Sequence, residues 1–401
     1  MTKPITERMK YLFTLISVIF HLSILGQTNV SGLINADVTW TASASPYIVT
    51  NNLLVSSGVT LTIESGVTVK IKGDKTLQIL GELNAIGTQN DSIIITDFDQ
   101  TNPFKSLEFA DSSEDVLFNS DGTWASGNIL RFVKVLGGGE NANGSVIFGS
   151  STGLIENSTV SSSNSSGIYL FKNTSNVNTG SNSSSLKSVH VISSEVVSNS
   201  NNGFSCSCKD YNVGIIITDS KLNYNGGSGF TSHQGTNGGA HDFQILNNEF
   251  SFNGGYGYAG RARGNQFVKG NRITNNGSVG ISVDGIGTHK IRSNIILFNT
   301  GGVAASLINA GSVELDSNII AFNDSWAIQS IKRSPFKIRG NQIIENGSSG
   351  IYASAYDPRN ETSKPVDIKR NSFIGNKSDS ALIATKNSNN ALHTFNVDSN
   401  N

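Results

Sequence analysis

The chain reads as an all-β protein, a right-handed parallel β-helix solenoid with about 23 residues per turn. Three observations predict this. First, one pattern is spoken repeatedly: Ile245-x-x-Asn248-x-Phe250-x-x-Asn253 is followed by Val268-x-x-Asn271-x-Ile273-x-x-Asn276. Second, the leading position of that pattern recurs at Ser158, Glu195, Ser220, Asn248, Asn271, Asn294, Asn318, Asn341 and Asn371, with a shortest step of 23 residues. Third, the apolar residues come in short pulses bounded by Asn, Ser and Gly, and no window holds a helical period. Helical repeats need more residues per unit, and the leucine spacing of leucine-rich repeats is missing. Short strands that cannot bury an apolar face alone must stack on copies of themselves, one turn every ~4.8 Å.

Taken in chain order, the first segment is an expected export signal, residues 1–26. Lys3, Arg8 and Lys10 precede a mostly apolar run from Tyr11 to Leu25, and Gly26 before Gln27 suits cleavage. The run is short for a membrane span, and no other segment is apolar enough to be one. Secretion or cell-surface display follows from this reading. Residues 27–150 are expected to form less regular β-helix turns. Between Asn51 and Asp97 strand pulses alternate with Gly and Ser-Gly corners. Ser45-Pro46-Tyr47-Ile48-Val49, Gly58-Val59-Thr60-Leu61-Thr62-Ile63 and Gly81-Glu82-Leu83 resemble the opening turns of bacterial secreted right-handed parallel β-helix proteins of the pectate-lyase-like kind. The resemblance implies a fold, because that group holds lyases, hydrolases, epimerases and non-enzymes.

Residues 151–401 carry the regular Asn-rich repeats. Asn253, Asn276, Asn299, Asn323, Asn346 and Asn376 predict a corner column, in which Asn tolerates left-handed backbone and bonds to its copy one turn on. Gly229, Gly257, Gly280 and Gly350 predict another corner. Val397-Asp398-Ser399-Asn400 matches Leu315-Asp316-Ser317-Asn318, where a turn begins, so an incomplete last turn is expected, its edge covered by a following domain or partner.

Charge narrows the function. Lys+Arg number 29 against Asp+Glu 30 in 401 residues, which gives no basic face for nucleic acid. The two cysteines, Cys206 and Cys208, lie two apart on a strand, where a bridge would be strained, and read as small buried hydrophobes. Dense Asp for stacked calcium sites is missing, as is an outward Thr ladder for an ice-binding face. No cofactor is expected; a single calcium ion at Asp210, Asp242 or Asp284 is the one cofactor the composition leaves open.

Alternation along each strand separates inward from outward positions. Counted from the corner Gly, the first position is apolar at Ile168, Phe204, Phe230, Tyr258, Ile281 and Ile351, and points inward. The second, outward, holds Ser205, Thr231, Ala259, Ser282 and Ala305, a floor of small residues. The fourth reads Phe171, Ser207, His233, Arg261, Asp284, Leu307, Ile331, with three ionisable residues in consecutive turns. Lys209 and Arg263 fall two positions further along. Insertions after this strand, at Phe171–Lys187, Ser205–Val213, Thr231–Asp242 and Ala353–Val366, would wall one edge of the floor.

A loop-flanked groove suits an extended acidic polysaccharide. Removal of the proton α to a uronate carboxylate requires that carboxylate to be neutralised, the chemistry of Arg261, and a base, the chemistry of His233. Asp284 completes the expected catalytic set. Lys209, Tyr211 and Arg263 are expected to bind substrate, and Tyr211 or Tyr258 is a candidate acid, although Tyr258 falls on an inward position. Gly229-Phe230-Thr231-Ser232-His233 and His241-Asp242-Phe243 resemble turns of mannuronan C5-epimerases, whose catalytic motif is Tyr-Gly-Phe-Asp-Pro-His. The aligned Ser228–His233 keeps the Gly, Phe and His of that motif and departs at the other three positions. The resemblance implies epimerase or lyase chemistry on a uronate polymer. The alternative is a non-catalytic surface or adhesion module. Paired outward carboxylates, which glycoside hydrolysis would need, are missing from the middle turns.

Overall fold

The computed structural model describes residues 26–171, 187–207, 213–233, 241–262, 264–331, 336–354, 366–377, 382–385 and 395–398. The expected export segment lies outside them, apart from Gly26. Three parallel sheets run the length of a right-handed tube, each turn giving one strand to each sheet. The first, here the site sheet, stacks 53–55, 76–79, 106–109, 144–149, 166–171, 204–207, 230–233, 258–262 and so on to 382–385. The second stacks 60–63, 82–86, 129–131 and 153–156 through 241–246 and 266–269 to 395–398. The third is built from short strands such as 249–251, 272–274 and 295–297. In two turns the first and second strands are continuous, at Val279–Arg292 and Gly301–Asp316.

The tube is filled by the inward columns. On the site sheet Leu53, Leu77, Leu107, Val146, Ile168, Phe204, Phe230, Tyr258, Ile281, Val303, Ile328 and Ile351 are all buried. Phe204 meets Phe230 edge-on at a centroid spacing of 5.6 Å, and Phe230 stacks on Tyr258 at 5.0 Å, both near the rise of one turn. This apolar filling is the chief source of stability, since each turn can bury its face only against its neighbours.

Two corners carry hydrogen-bond ladders. At one, Ser158, Ser194 and Ser220 lead into Asn248, Asn271, Asn294, Asn318, Asn341 and Asn371; at the other Ser163 and Asn199 lead into Asn225, Asn253, Asn276, Asn299, Asn323, Asn346 and Asn376. Asn276 shows the bonding. Its Oδ1 accepts the Asn253 backbone N–H at 3.1 Å and the Asn253 amide at 2.9 Å. Its own amide donates to the Phe250 carbonyl at 2.9 Å and to Asn299 at 2.8 Å.

The expected role of these asparagines needs one correction. Left-handed backbone belongs to the residue before each of them: Phe252, Asn275, Phe298 and Phe322 have φ of 57°, 57°, 57° and 55°. The ladder Asn is itself buried, and its side chain must lie along the tube axis to reach its copy. Gly229 and Gly257 are required for closeness: a Cβ there would meet the Gly257 carbonyl at 2.7 Å and Ile273 at 2.5 Å.

Cys206 is buried and disulfide-bonded, which overturns the reading of both cysteines as plain hydrophobes. The only other cysteine, Cys208, lies outside the described residues.

Candidate functional site

The outward face of the site sheet is shaped by side-chain size on a constant backbone. Its central column runs Glu108, Ile147, Tyr169, Ser205, Thr231, Ala259, Ser282, Ala304, Gln329, Tyr352, each paired in register with the next. Five consecutive small residues thus make a groove between Tyr169 and Gln329, six turns or roughly 29 Å apart along the axis. Tyr169 stacks on Phe171 at 5.8 Å, forming an aromatic step at one end. The sequence placed Ala305 and Leu307 in these columns. The structure moves both by one residue: Ala304 pairs with Ser282, Ser306 pairs with Asp284, and Ala305 is buried. Counting from a Gly-Gly pair, Gly301-Gly302, had left the register ambiguous, and one residue's slip exchanges the two faces of a strand.

The chain leaves this sheet at Phe171, Ser207 and His233 and joins the second sheet at Lys187, Val213 and His241. The expected insertions therefore all depart from one edge. Lys209, Tyr211 and Arg263, the expected substrate-binding residues, lie outside the described residues, as does Asp210.

His233 pairs with Ser207 in the ladder and is exposed. Its own ladder to the following turn stops at Thr231 and Ala259. Beyond that point Ser232 takes over. Its buried hydroxyl accepts the Arg261 backbone N–H at 2.7 Å and donates to the Arg261 carbonyl at 3.1 Å. The hydroxyl thereby clasps the residue that carries the charge, a role sequence reasoning missed. The signal was there: Ser232 stands on an inward position otherwise apolar at Leu170 and Val283.

Arg261 and Asp284 meet directly. Nε and Nη2 of Arg261 both donate to Asp284 Oδ2, at 2.9 and 2.8 Å. The Arg261 side chain is 50% exposed and that of Asp284 14% exposed, so the carboxylate anchors the guanidinium at the groove edge. Asp284 Oδ1 is buried with no hydrogen-bond partner among the described residues. Among the described residues no group of three His, Cys, Asp or Glu is placed to hold a metal ion. Asp242 is engaged with the backbone N–H of Asn265 at 2.7 Å.

Tyr258 is removed as a candidate acid. It is wholly buried, its hydroxyl donates to Gln266 Oε1 at 2.7 Å, and burial pushes it well above the usual phenol range. Gln266 donates in turn to the Gly260 carbonyl at 3.1 Å. His289, the next inward residue of the same column as Gln266, is fully buried, neither ring nitrogen has a partner among the described residues, and burial lowers it to about 4. A polar patch thus sits inside the tube beneath the Arg261–Asp284 pair.

No family model matches the sequence, and no curated protein matches it. Among solved structures, the chain is similar to the periplasmic alginate epimerase AlgG, with a TM-score of 0.51, 14% identity and coverage of 88% of this chain and 77% of that one. A point mutant of that epimerase gives a TM-score of 0.53 at 14% identity, covering 88% of this chain and 78% of the other. The A-module of the Azotobacter vinelandii mannuronan C-5 epimerase AlgE4 gives 0.39 at 16% identity, covering 94% and 86%. The likeness to AlgG is one of architecture, a parallel β-helix of similar length.

Proposed function

We propose that this is an exported β-helix protein that binds an acidic polysaccharide along the groove of the site sheet. The observation that carries this reading is a column of small residues beside charged ones. Five small residues make a floor, and near its edge exposed His233 is followed in the next two turns by Arg261 and Asp284, which are paired in register. A polymer laid along the tube axis would pass its sugar units over that edge. Arg261, held by Asp284, is oriented to meet a carboxylate, and an oriented guanidinium forfeits less side-chain freedom on binding than a free one. The solved fold-mates named for alginate, a uronate polymer, make a uronate chain the first ligand to try.

Processing is the finer reading. With Arg261 on the carboxylate, exposed His233 would take the proton α to it, and return of a proton from the opposite face or loss of the leaving oxygen would distinguish an epimerase from a lyase. A non-catalytic surface module is favoured by a specific observation: Asp284 already compensates the Arg261 charge, which weakens its pull on an enolate-like transition state.

One experiment addresses both. Purified protein is titrated with alginate, pectate and a glycosaminoglycan, and the same mixtures are followed for unsaturated products by ultraviolet absorbance and for epimerisation by proton NMR. We expect saturable binding of at least one uronate polymer, weakened tenfold or more by Arg261→Ala, about 1.4 kcal/mol. Turnover abolished by His233→Ala would establish an enzyme; binding without turnover would establish the module. Binding that is unaffected by Arg261→Ala and by filling the groove with Ala259→Tyr would overturn the assignment of the site.

A further inference from the structure

A second feature lies on a different corner and does not depend on the groove. The residue before each second-ladder Asn reads Ser198, Tyr224, Phe252, Asn275, Phe298, Phe322, Glu345, all in left-handed backbone. Four of them are large aromatics, and they are 60%, 50%, 51% and 41% exposed at Tyr224, Phe252, Phe298 and Phe322. The fold does not ask for aromatics here. The same corner takes Ser, Asn and Glu in other turns, and left-handed backbone favours Asn and Gly over residues with bulky side chains. Exposed rings aligned along a corner are the kind of apolar patch that marks a binding surface.

Their stacking defines a gap. Tyr224 lies on Phe252 with centroids 5.1 Å apart and planes within 3°, and Phe298 lies on Phe322 at 5.3 Å and 13°. Between the two pairs stands Asn275, whose short side chain interrupts the ladder. Phe252 and Phe298 are therefore two turns apart, roughly 9.6 Å along the axis. A flat ring touching both faces at about 3.5–4.0 Å would need only about 7–8 Å. The surplus suits a puckered, saturated six-membered ring with axial hydrogens on both faces. Arg272 stands on the turn of the gap, exposed and with no ion pair among the described residues. Glu249 one turn before is its in-register neighbour, and the apolar Ile295 lies one turn after.

We infer that the gap at Asn275, between Phe252 and Phe298 and beside Arg272, is a binding site for a pyranose unit carrying a carboxylate. The rings supply two apolar faces, Asn275 a polar floor for hydroxyls, and Arg272 the charge that complements the acid. It is a second carbohydrate contact, on a corner of the tube away from the site sheet, and would bind a chain whether or not the groove does.

The test fills the gap with what the neighbouring turns already carry. Asn275→Phe continues the aromatic ladder in a position that accepts Phe at 252 and 298, so the fold is expected to hold; thermal melting checks this. Binding of oligogalacturonate, oligomannuronate and a neutral xylo-oligosaccharide is measured by calorimetry and by saturation-transfer NMR, on wild type and on Asn275→Phe, Phe252→Ala with Phe298→Ala, and Arg272→Ala. All are made in an Arg261→Ala background, so that the groove does not contribute. We expect an acidic oligosaccharide to bind, at least tenfold more weakly in Asn275→Phe and in the double variant, with Arg272→Ala abolishing the preference over the neutral oligomer. Unchanged binding in Asn275→Phe at unchanged melting temperature would overturn the inference. So would an Arg261→Ala parent that takes up no oligosaccharide, or one whose rings serve only self-association, seen as dimers by light scattering that Phe252→Ala with Phe298→Ala dissociates. Failure here leaves the groove reading intact, because that reading is tested by Arg261 and Ala259.

Discussion

The turns before Phe171 and those from Phe204 onward use one backbone for two purposes. In both, three short parallel strands stack in register and the inward columns are apolar. They differ at the corners and on the outside. The early corners turn on glycines such as Gly58 and Gly66, with φ of 72° and 77°, and their first ladder position is a serine. The later corners carry asparagine columns, continuous from Asn225 in one and from Asn248 in the other. On the site sheet the early outward column is bulky, Gln78, Glu108, Ile147, Tyr169, while the later one drops to Ser205, Thr231, Ala259, Ser282 and Ala304. The lesson is that the solenoid sets spacing only. A groove appears where side chains are small, and rigidity is concentrated where amides interlock.

The largest test of this contrast is in the ladders. Asn276→Ala removes four side-chain hydrogen bonds and leaves buried backbone groups unpaired, so a loss of about 3–4 kcal/mol is expected in urea unfolding. Ser158→Ala, which removes a hydroxyl accepting the Val133 N–H at 3.0 Å, should cost about 1–2 kcal/mol. Equal costs would mean that the asparagine columns are no stiffer than the early corners.

The next effect is set by pH. His289 is held near 4 in the folded tube against an ordinary value of 6.5, so below 6.5 the unfolded chain binds the extra proton. The stability tied to this group is present above pH 6.5 and is lost as pH falls towards 4, by up to about 3 kcal/mol. His289→Phe places in that column the residue type found at Phe243 and Phe336, and should remove this part of the acid loss. An unchanged stability–pH profile between 6.5 and 4 would show that the ring is not excluded from water. His190, half-buried against Phe118 at 4.6 Å and likewise lowered by burial to about 4, marks the same direction in the earlier half.

A smaller effect sharpens the contrast on the site sheet. Ala259→Tyr gives a middle turn the side chain that Tyr169 and Tyr352 carry in the outer ones. It should leave the melting temperature within a degree or two and weaken uronate binding tenfold or more, about 1.4 kcal/mol. The smallest is Arg261→Ala read as stability: an ion pair with a half-exposed guanidinium is worth under about 1 kcal/mol, so unfolding should hardly move while binding falls.

Much of this was legible. The Asn248 and Asn253 columns, the inward aromatics Phe204, Phe230 and Tyr258, the departure of the insertions from one edge and the register of Arg261 with Asp284 all follow from counting along the chain. The left-handed corners were assigned to the wrong residue because Asn is at home in both roles, a ladder amide and a left-handed turn. Ala305 and Leu307 were misplaced because two adjacent glycines offer two starting points for the count. The aromatic corner was visible as Tyr224, Phe252, Phe298 and Phe322 before successive ladder positions, but an aromatic in an apolar repeat reads first as core.

The order of residues by itself determined the period, the alternation of inward and outward positions and hence the solenoid, because stacking identical turns is the only way such short strands bury their apolar faces. Tertiary structure alone decided the contacts across turns: that Ser232 clasps Arg261, that Arg261 is spent on Asp284, that His289 finds no partner among the described residues, and that a ring is missing between Phe252 and Phe298. Each of these depends on residues a full turn or more apart in the chain, and at that range a shift of one residue in register, or a choice of rotamer, exchanges neighbours without disturbing the pattern along the chain.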